Sequence, residues 1–149
     1  MENNTKDREL VITRTLNAPA ELVWEVFTKA EHIANWWGPN GFTNTINIMD
    51  VKPGGLWDFV MHGPDGTNYK NKSIFKEIVP LKRIVFDHFN PDFTTTIQFE
   101  DLGEQTHIHW HMLFNSAEEF IQVVKTFKAD EGLKQNIEKL NAYLVGLKK

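Results

Sequence analysis

The sequence predicts an α+β chain: one strand, two short helices, a six-stranded antiparallel meander and a long C-terminal helix, about seven strands in all. Three observations carry this expectation. Between residues 43 and 114, large apolar residues alternate with polar ones over short segments separated by turn residues, the period of half-buried strands. Before that region Leu22, Val23, Val26 and Phe27 recur at helical spacing. After it come two helical stripes, Phe120, Val123, Val124 and Phe127, then Leu133, Ile137, Leu140, Leu144 and Leu147.

Each element has a local reason. Residues 9–16, ELVITRTL, are rich in apolar and β-branched types, which suits a first strand. Pro19 opens a helix, since its missing N–H would be unsatisfied in a first turn anyway. Thr28 with Glu31 has the spacing of a capping box for a second short helix carrying Ile33, Trp36 and Trp37, which Gly38 and Pro39 end. Strands are expected near 43–51, 55–62, 69–79, 82–89, 93–101 and 105–114. Pro53-Gly54-Gly55, Pro64-Asp65-Gly66, Pro80, Asn90-Pro91-Asp92 and Gly103 punctuate them, and such short links favour antiparallel neighbours. Trp57, Phe59 and Met61, then Ile97 and Phe99, then Ile108, Trp110 and Met112 place one apolar face across the sheet. Ser116 with Glu119 caps the next helix. The two C-terminal stripes point in directions too different for one straight helix, so a break is expected near 128–132, with Gly132 at the junction.

Composition narrows the functional classes. The 149 residues, 41% hydrophobic and 24% charged, fit one domain spanning the chain, with residues 1–8 as a flexible N-terminal tail. With no cysteine, disulfides, thiolate zinc sites and a cysteine nucleophile are excluded. A net charge of −4 with Arg8, Arg14 and Arg83 as the only arginines lacks the basic stripe of a nucleic-acid binder. The N-terminal residues lack the apolar core of a secretion signal, and no run of about 18 apolar residues occurs, so a cytoplasmic protein without membrane insertion is expected. Eleven Phe and five Trp call for a large core or a cavity to line.

The order of elements resembles the helix-grip arrangement of START-like (SRPBCC) proteins. Four segments narrow the resemblance: Ala18-Pro19-Ala20-Glu21-Leu22-Val23-Trp24, Trp36-Trp37-Gly38-Pro39, Pro53-Gly54-Gly55-Leu56-Trp57 and Gly63-Pro64-Asp65-Gly66. In this order they are similar to the successive signatures of the homologues of the activator of the heat-shock-protein-90 ATPase, from Leu10 to Leu147. Two features depart from that pattern. Leu133 stands where many relatives carry Trp, and a small residue is frequent where Lys72 and Ser73 sit. The resemblance implies a sheet curved around the last helix, leaving a pocket for apolar ligands. It implies no single activity, because the named one belongs to a eukaryotic co-chaperone with an additional domain, for which this chain has no room.

Trp24, Trp36, Trp37, Trp57, Phe59, Phe75, Phe86, Phe99 and Trp110 read either as ordinary core or as pocket lining, with Trp57, Phe59 and Phe86 the default binding region on a concave sheet. Trp36 and Trp37 read as a gate at the cavity mouth or as a plug joining helix to sheet. His88 shares the inner face with Ile84 and Phe86, where it is a satisfied core residue, a ligand partner or a proton carrier. His107, His109 and His111 have the spacing of metal ligands on a strand, but with Ile108, Trp110 and Met112 facing inward they fall on the outer face, and no metal site is expected. Asp50, Asp58, Glu77 and Asp87 show no pairing suited to acid–base work, and the Gly-rich segments are turns between strands rather than phosphate loops, so catalytic residues stay unassigned and no cofactor is expected. The leading expectation is a binding or carrier module for a small apolar, lipid-like or aromatic ligand. A co-chaperone-like or regulatory protein-interaction module is the alternative, and an enzyme acting on a cavity ligand, with His88 the first residue to test, is the second.

Overall fold

Short segments rich in β-branched and aromatic residues, joined by turns too short to cross a sheet, can pair only with antiparallel neighbours. The computed structural model, which describes residues 8–89 and 92–147, has that arrangement. The elements are β1 (Glu9–Leu16), α1 (Ala20–Thr28), α2 (Ala30–Ile33), β2 (Thr43–Met49), β3 (Leu56–His62), β4 (Asn68–Val79), β5 (Arg83–Phe89), β6 (Phe93–Asp101), β7 (Thr106–Phe114), α3 (Ala117–Phe127) and α4 (Ala129–Leu147). The seven strands form one curved open antiparallel sheet in the order β1-β7-β6-β5-β4-β3-β2, so β2 to β7 is a meander and β1 closes its far side against β7. Register shifts between Ile46 and Ile48 and between Phe75 and Glu77 are the irregularities that help bend such a sheet. This is the helix-grip α+β fold expected from the sequence.

Side-chain alternation decides which face is the core. Trp57, Phe59, Phe75, Ile84, Phe86, Ile97, Phe99, Ile108 and Trp110 are all buried, in one cluster with Leu133, Ile137, Leu140 and Leu144 of α4 and Val23, Val26 and Phe27 of α1. Each such aliphatic or aromatic side chain contributes roughly 1.5–3 kcal/mol by leaving water. Leu147, expected on the α4 stripe, is instead 40% exposed at the helix end.

Several local expectations need correction. Thr28 does not cap α2. It ends α1, its hydroxyl donates to the Trp24 carbonyl at 2.8 Å, and Lys29 occupies the cap position with no side-chain cap bond. Pro19 stands one position earlier than expected, as the N-cap of α1, and its carbonyl accepts from Leu22 and Val23. α2 is a single turn, so Trp36 and Trp37 lie in the following turn rather than in the helix. Ser116 does cap α3, its hydroxyl oxygen accepting from the Glu119 N–H at 3.1 Å. The helix break falls within the expected 128–132, at Lys128, which adopts φ 51°, but Gly132 lies inside α4 rather than at the junction. The Phe127 side chain and the Asn90-Pro91 turn fall outside the described residues. So do residues 1–7 of the expected tail 1–8, whose last residue departs from that expectation. Arg8 is tied to β7, its carbonyl accepting from the Phe114 N–H at 2.8 Å and its Nη1 donating to the Phe114 carbonyl at 2.7 Å.

Candidate functional site

The alternation of β3 to β7 turns the large rings toward α4, and there they pack mainly against one another. The structure sorts the predicted lining residues into groups. Trp57 is the centre of the first. Phe59 stacks on it at 4.6 Å and Phe75 at 5.8 Å, while Phe86 meets it edge-on at 5.3 Å. Trp37 joins the same group, 5.0 Å from Trp57, 6.4 Å from Phe86 and stacked on Trp110 at 5.3 Å. Phe27 is the centre of the second, with Trp36 at 4.8 Å and Phe99 at 5.2 Å, and Trp24 reaching Phe99 at 5.4 Å. The sequence reading placed Phe27 only on a helix stripe. Nothing local distinguishes it from Val26, and its ring contacts arise from where α1 crosses the sheet.

The two adjacent indoles differ. Trp36 is fully buried, and its Nε1 donates to the Val26 carbonyl at 3.0 Å, which ties the turn to α1. Trp37 is only partly buried although it touches three rings of the first group. Its carbonyl accepts from Asn44 Nδ2 at 2.9 Å, and the next residue, Gly38, has φ 96°, a conformation that L side chains rarely adopt. A Cβ at Gly38 would also lie 2.7 Å from Met61 Cε.

Beyond Gly38, residues 39–42 run across α4. The Asn40 N–H donates to Gln135 Oε1 at 3.0 Å, and Lys139 Nζ donates to the carbonyls of Pro39 at 3.1 Å and Phe42 at 3.3 Å. Burial pushes the Lys139 ammonium below its ordinary range. Gly132 serves this crossing, since a Cβ there would come within 3.2 Å of Pro39 Cγ. The sequence reading missed this strap. Gly38 before it and Gly41 within it, both at positive φ, were the available signal.

His88 stands apart from both aromatic groups. It is 8% exposed, stacks on Phe93 at 4.4 Å, and its Nε2 lies 2.7 Å from Asn71 Oδ1. It borders a depression of about 200 Å³ with Lys76, Asp87 and Phe93. His107, His109 and His111 lie on the outer face. His107 Nδ1 is 3.0 Å from Thr15 Oγ1, and His111 Nε2 is 2.8 Å from Glu9 Oε2. Among the described residues, no group of three His, Cys, Asp or Glu side chains is placed to hold a metal ion. His107 and His109 instead line an outer-face depression of about 560 Å³ with Lys82, Gln98 and Glu100. No helix among the described residues is long and apolar enough to cross a membrane.

Solved structures share this architecture. A protein from Nitrosomonas europaea is 23% identical with a TM-score of 0.86, covering 95% of this chain and 97% of that one. One from Arthrobacter aurescens is 22% identical with a TM-score of 0.88, covering 97% and 90%. The AHSA1 protein of Silicibacter pomeroyi is 18% identical with a TM-score of 0.76, covering 92% and 97%. At such identities the likeness shows the fold. No curated protein matches the sequence. Residues 17–145 match the family described as activator of Hsp90 ATPase homolog 1-like protein, which takes in the turn bearing Trp36 and Trp37, the whole meander and nearly all of α4; the chain belongs to that family.

Proposed function

We propose that the chain is a binding or carrier module for a small, largely apolar molecule taken up between the concave sheet and α4, with Trp37 as the movable element at the entrance. The family and fold support a ligand-binding or regulatory module in general. One observation carries the finer reading: Trp37 is the ring of the Trp57 group that keeps contact with solvent, and it is followed at once by a glycine in a left-handed conformation. Rotation about Gly38 would lift the indole from Trp57, Phe86 and Trp110 and leave an aromatic-lined space, the composition typical of small-molecule sites. Trp36, buried and hydrogen-bonded, stays as the anchor of the same turn.

The experiment is a titration with pyrene, a fluorescent hydrocarbon that accepts energy from indole. Native protein is expected to bind it with loss of indole emission. Trp37→Ala should speed association, while Trp36→Ala should chiefly destabilise the fold, by about 3–5 kcal/mol for loss of a packed ring. Absence of pyrene binding to native protein and to Trp37→Ala alike would overturn the reading. The second reading, a module that contacts a chaperone or regulatory protein, is favoured by the family description, which names an activator of the Hsp90 ATPase. Binding of a purified chaperone of that class with no uptake of pyrene would select it.

A further inference from the structure

The layer around Trp57 and Trp110 is not wholly apolar. Ser73 is fully buried, Thr95 is 1% exposed and Asn136 6% exposed. Ser73 Oγ, Thr95 Oγ1 and Asn136 Oδ1, together with the indole nitrogens Nε1 of Trp57 and Trp110, have no hydrogen-bond partner among the described residues. Strand register places four of the five on the concave face of β3, β4, β6 and β7, at adjacent levels of the sheet. Ser73 is directly opposite Trp57 in the β3–β4 ladder. Thr95 is opposite Phe86 in one ladder and Met112 in the next, which makes Trp110, opposite Ile97, its diagonal neighbour. Phe86 meets the Trp57 ring at 5.3 Å and so joins the two halves. Asn136 lies on α4 beside Ile137, in the buried stripe that packs into this core.

Buried polar groups are normally paired, and several orphans on the concave face of one core call for an explanation. An unmade hydrogen bond costs more than a made one returns, so hydroxyls at Ser73 and Thr95 are poor choices for a core whose sole task is packing. The two indoles can only donate, the carboxamide oxygen can only accept, and the hydroxyls can do either. The buried polar side chains include no Lys, Arg, Asp or Glu to neutralise a charge, and His88, opposite Ser73 in the β4–β5 ladder, is taken up by Asn71 and the Phe93 ring. Resting on the binding reading above, we propose that the ligand is an uncharged ring compound carrying hydroxyl or carbonyl oxygens, for which Ser73, Thr95 and the Trp57 and Trp110 N–H groups determine specificity. Hydrocarbons would leave these groups unpaired, and carboxylates would bury an unpaired charge.

The test compares naphthalene, naphthol and naphthoate, three ligands with one apolar body, as competitors of pyrene on the intact protein. Naphthol should bind about fivefold or more tighter than naphthalene, the ratio expected for one or two added hydrogen bonds, with naphthoate weakest. It should also move the indole N–H resonance of Trp57 or Trp110 downfield, a change that naphthalene does not cause. Ser73→Ala and Thr95→Val should each lower naphthol affinity about fivefold, leave naphthalene affinity unchanged and raise the thermal midpoint of the free protein, because an orphaned hydroxyl has been removed. Equal affinity for naphthalene and naphthol, tightest binding of naphthoate, or variants that lose thermal stability yet keep naphthol affinity would each overturn the proposal while leaving the apolar pocket standing. Failure of pyrene itself to bind would overturn the pocket and this proposal together.

Discussion

On β7, Ile108 and Trp110 look into the core while His107, His109 and His111, their immediate neighbours, look out. The two faces of this strand meet the same ladder hydrogen bonds and the same curvature, yet they treat side chains in opposite ways. Outside, His107 finds Thr15 and His111 finds Glu9, both across the β1–β7 ladder, while His109 Nδ1 is covered and has no partner among the described residues. Inside, a side chain has only other side chains. Trp110 is packed against Trp37, Trp36 and Phe27, and its N–H has no partner among the described residues. The difference teaches where substitutions are felt and where polarity carries information. A histidine on the convex face is still partly in water, whereas a hydroxyl on the concave face, at Ser73 or Thr95, is shut away from it and needs a cause.

The largest effect that would sharpen this contrast is expected at Leu140, fully buried at the centre of the α4 stripe. Leu140→Ala should cost about 2–5 kcal/mol in denaturant unfolding, because the curved sheet cannot collapse into the void. A cost near zero would mean that the space beneath α4 is already open. Next comes a paired comparison within one strand. Ile108→Val should cost about 0.5–1.5 kcal/mol although it removes a single methylene. His107→Ala, which removes a whole ring, should stay within about 0.5 kcal/mol of the native protein. The reverse order would break the distinction between the faces.

A smaller effect is expected where the strap crosses α4. Because the folded protein holds the Lys139 proton less tightly than the unfolded chain does, the native protein should gain stability relative to Lys139→Met as pH rises from the lowered value toward the ordinary lysine value of 10.5. Unfolding of the two proteins over that interval measures it, and a constant difference would show that the ammonium is as well solvated as on the open surface. The smallest effect is expected from zinc. Calorimetric titration of untagged protein should show no binding tighter than micromolar. Tight binding lost in a His107→Ala, His109→Ala double variant would give the convex face a function of its own.

Local chemistry was legible where the deciding partner lies within a few residues. Ser116 caps α3 through Glu119, three positions on, and β3 alternates as written, because the reach of a side chain and the pleat of a strand are properties of the chain itself. The same rule at Thr28 misled, since its hydroxyl had a nearer acceptor in the Trp24 carbonyl, one turn back. The mismatch of the two stripes located the break within 128–132, where Lys128 makes it, but Gly132 is not its cause: that glycine answers to Pro39, which lies far away in sequence.

By itself, then, the sequence determined the order of elements, the antiparallel pairing, the inward face of β3, β5, β6 and β7 and the family, because hydrophobic period and turn chemistry are local and repeat many times. Tertiary structure alone decided that Trp36 is buried and tied to α1 while Trp37 is only partly buried, that Phe59, Phe75 and Phe86 gather round Trp57 while Phe99 turns to Phe27, and that His88 stacks on Phe93 outside both groups. Ring contacts of this kind depend on where α1, the strap and α4 cross the curved sheet, and identical residue types on one face carry no mark of which neighbour the crossing will bring.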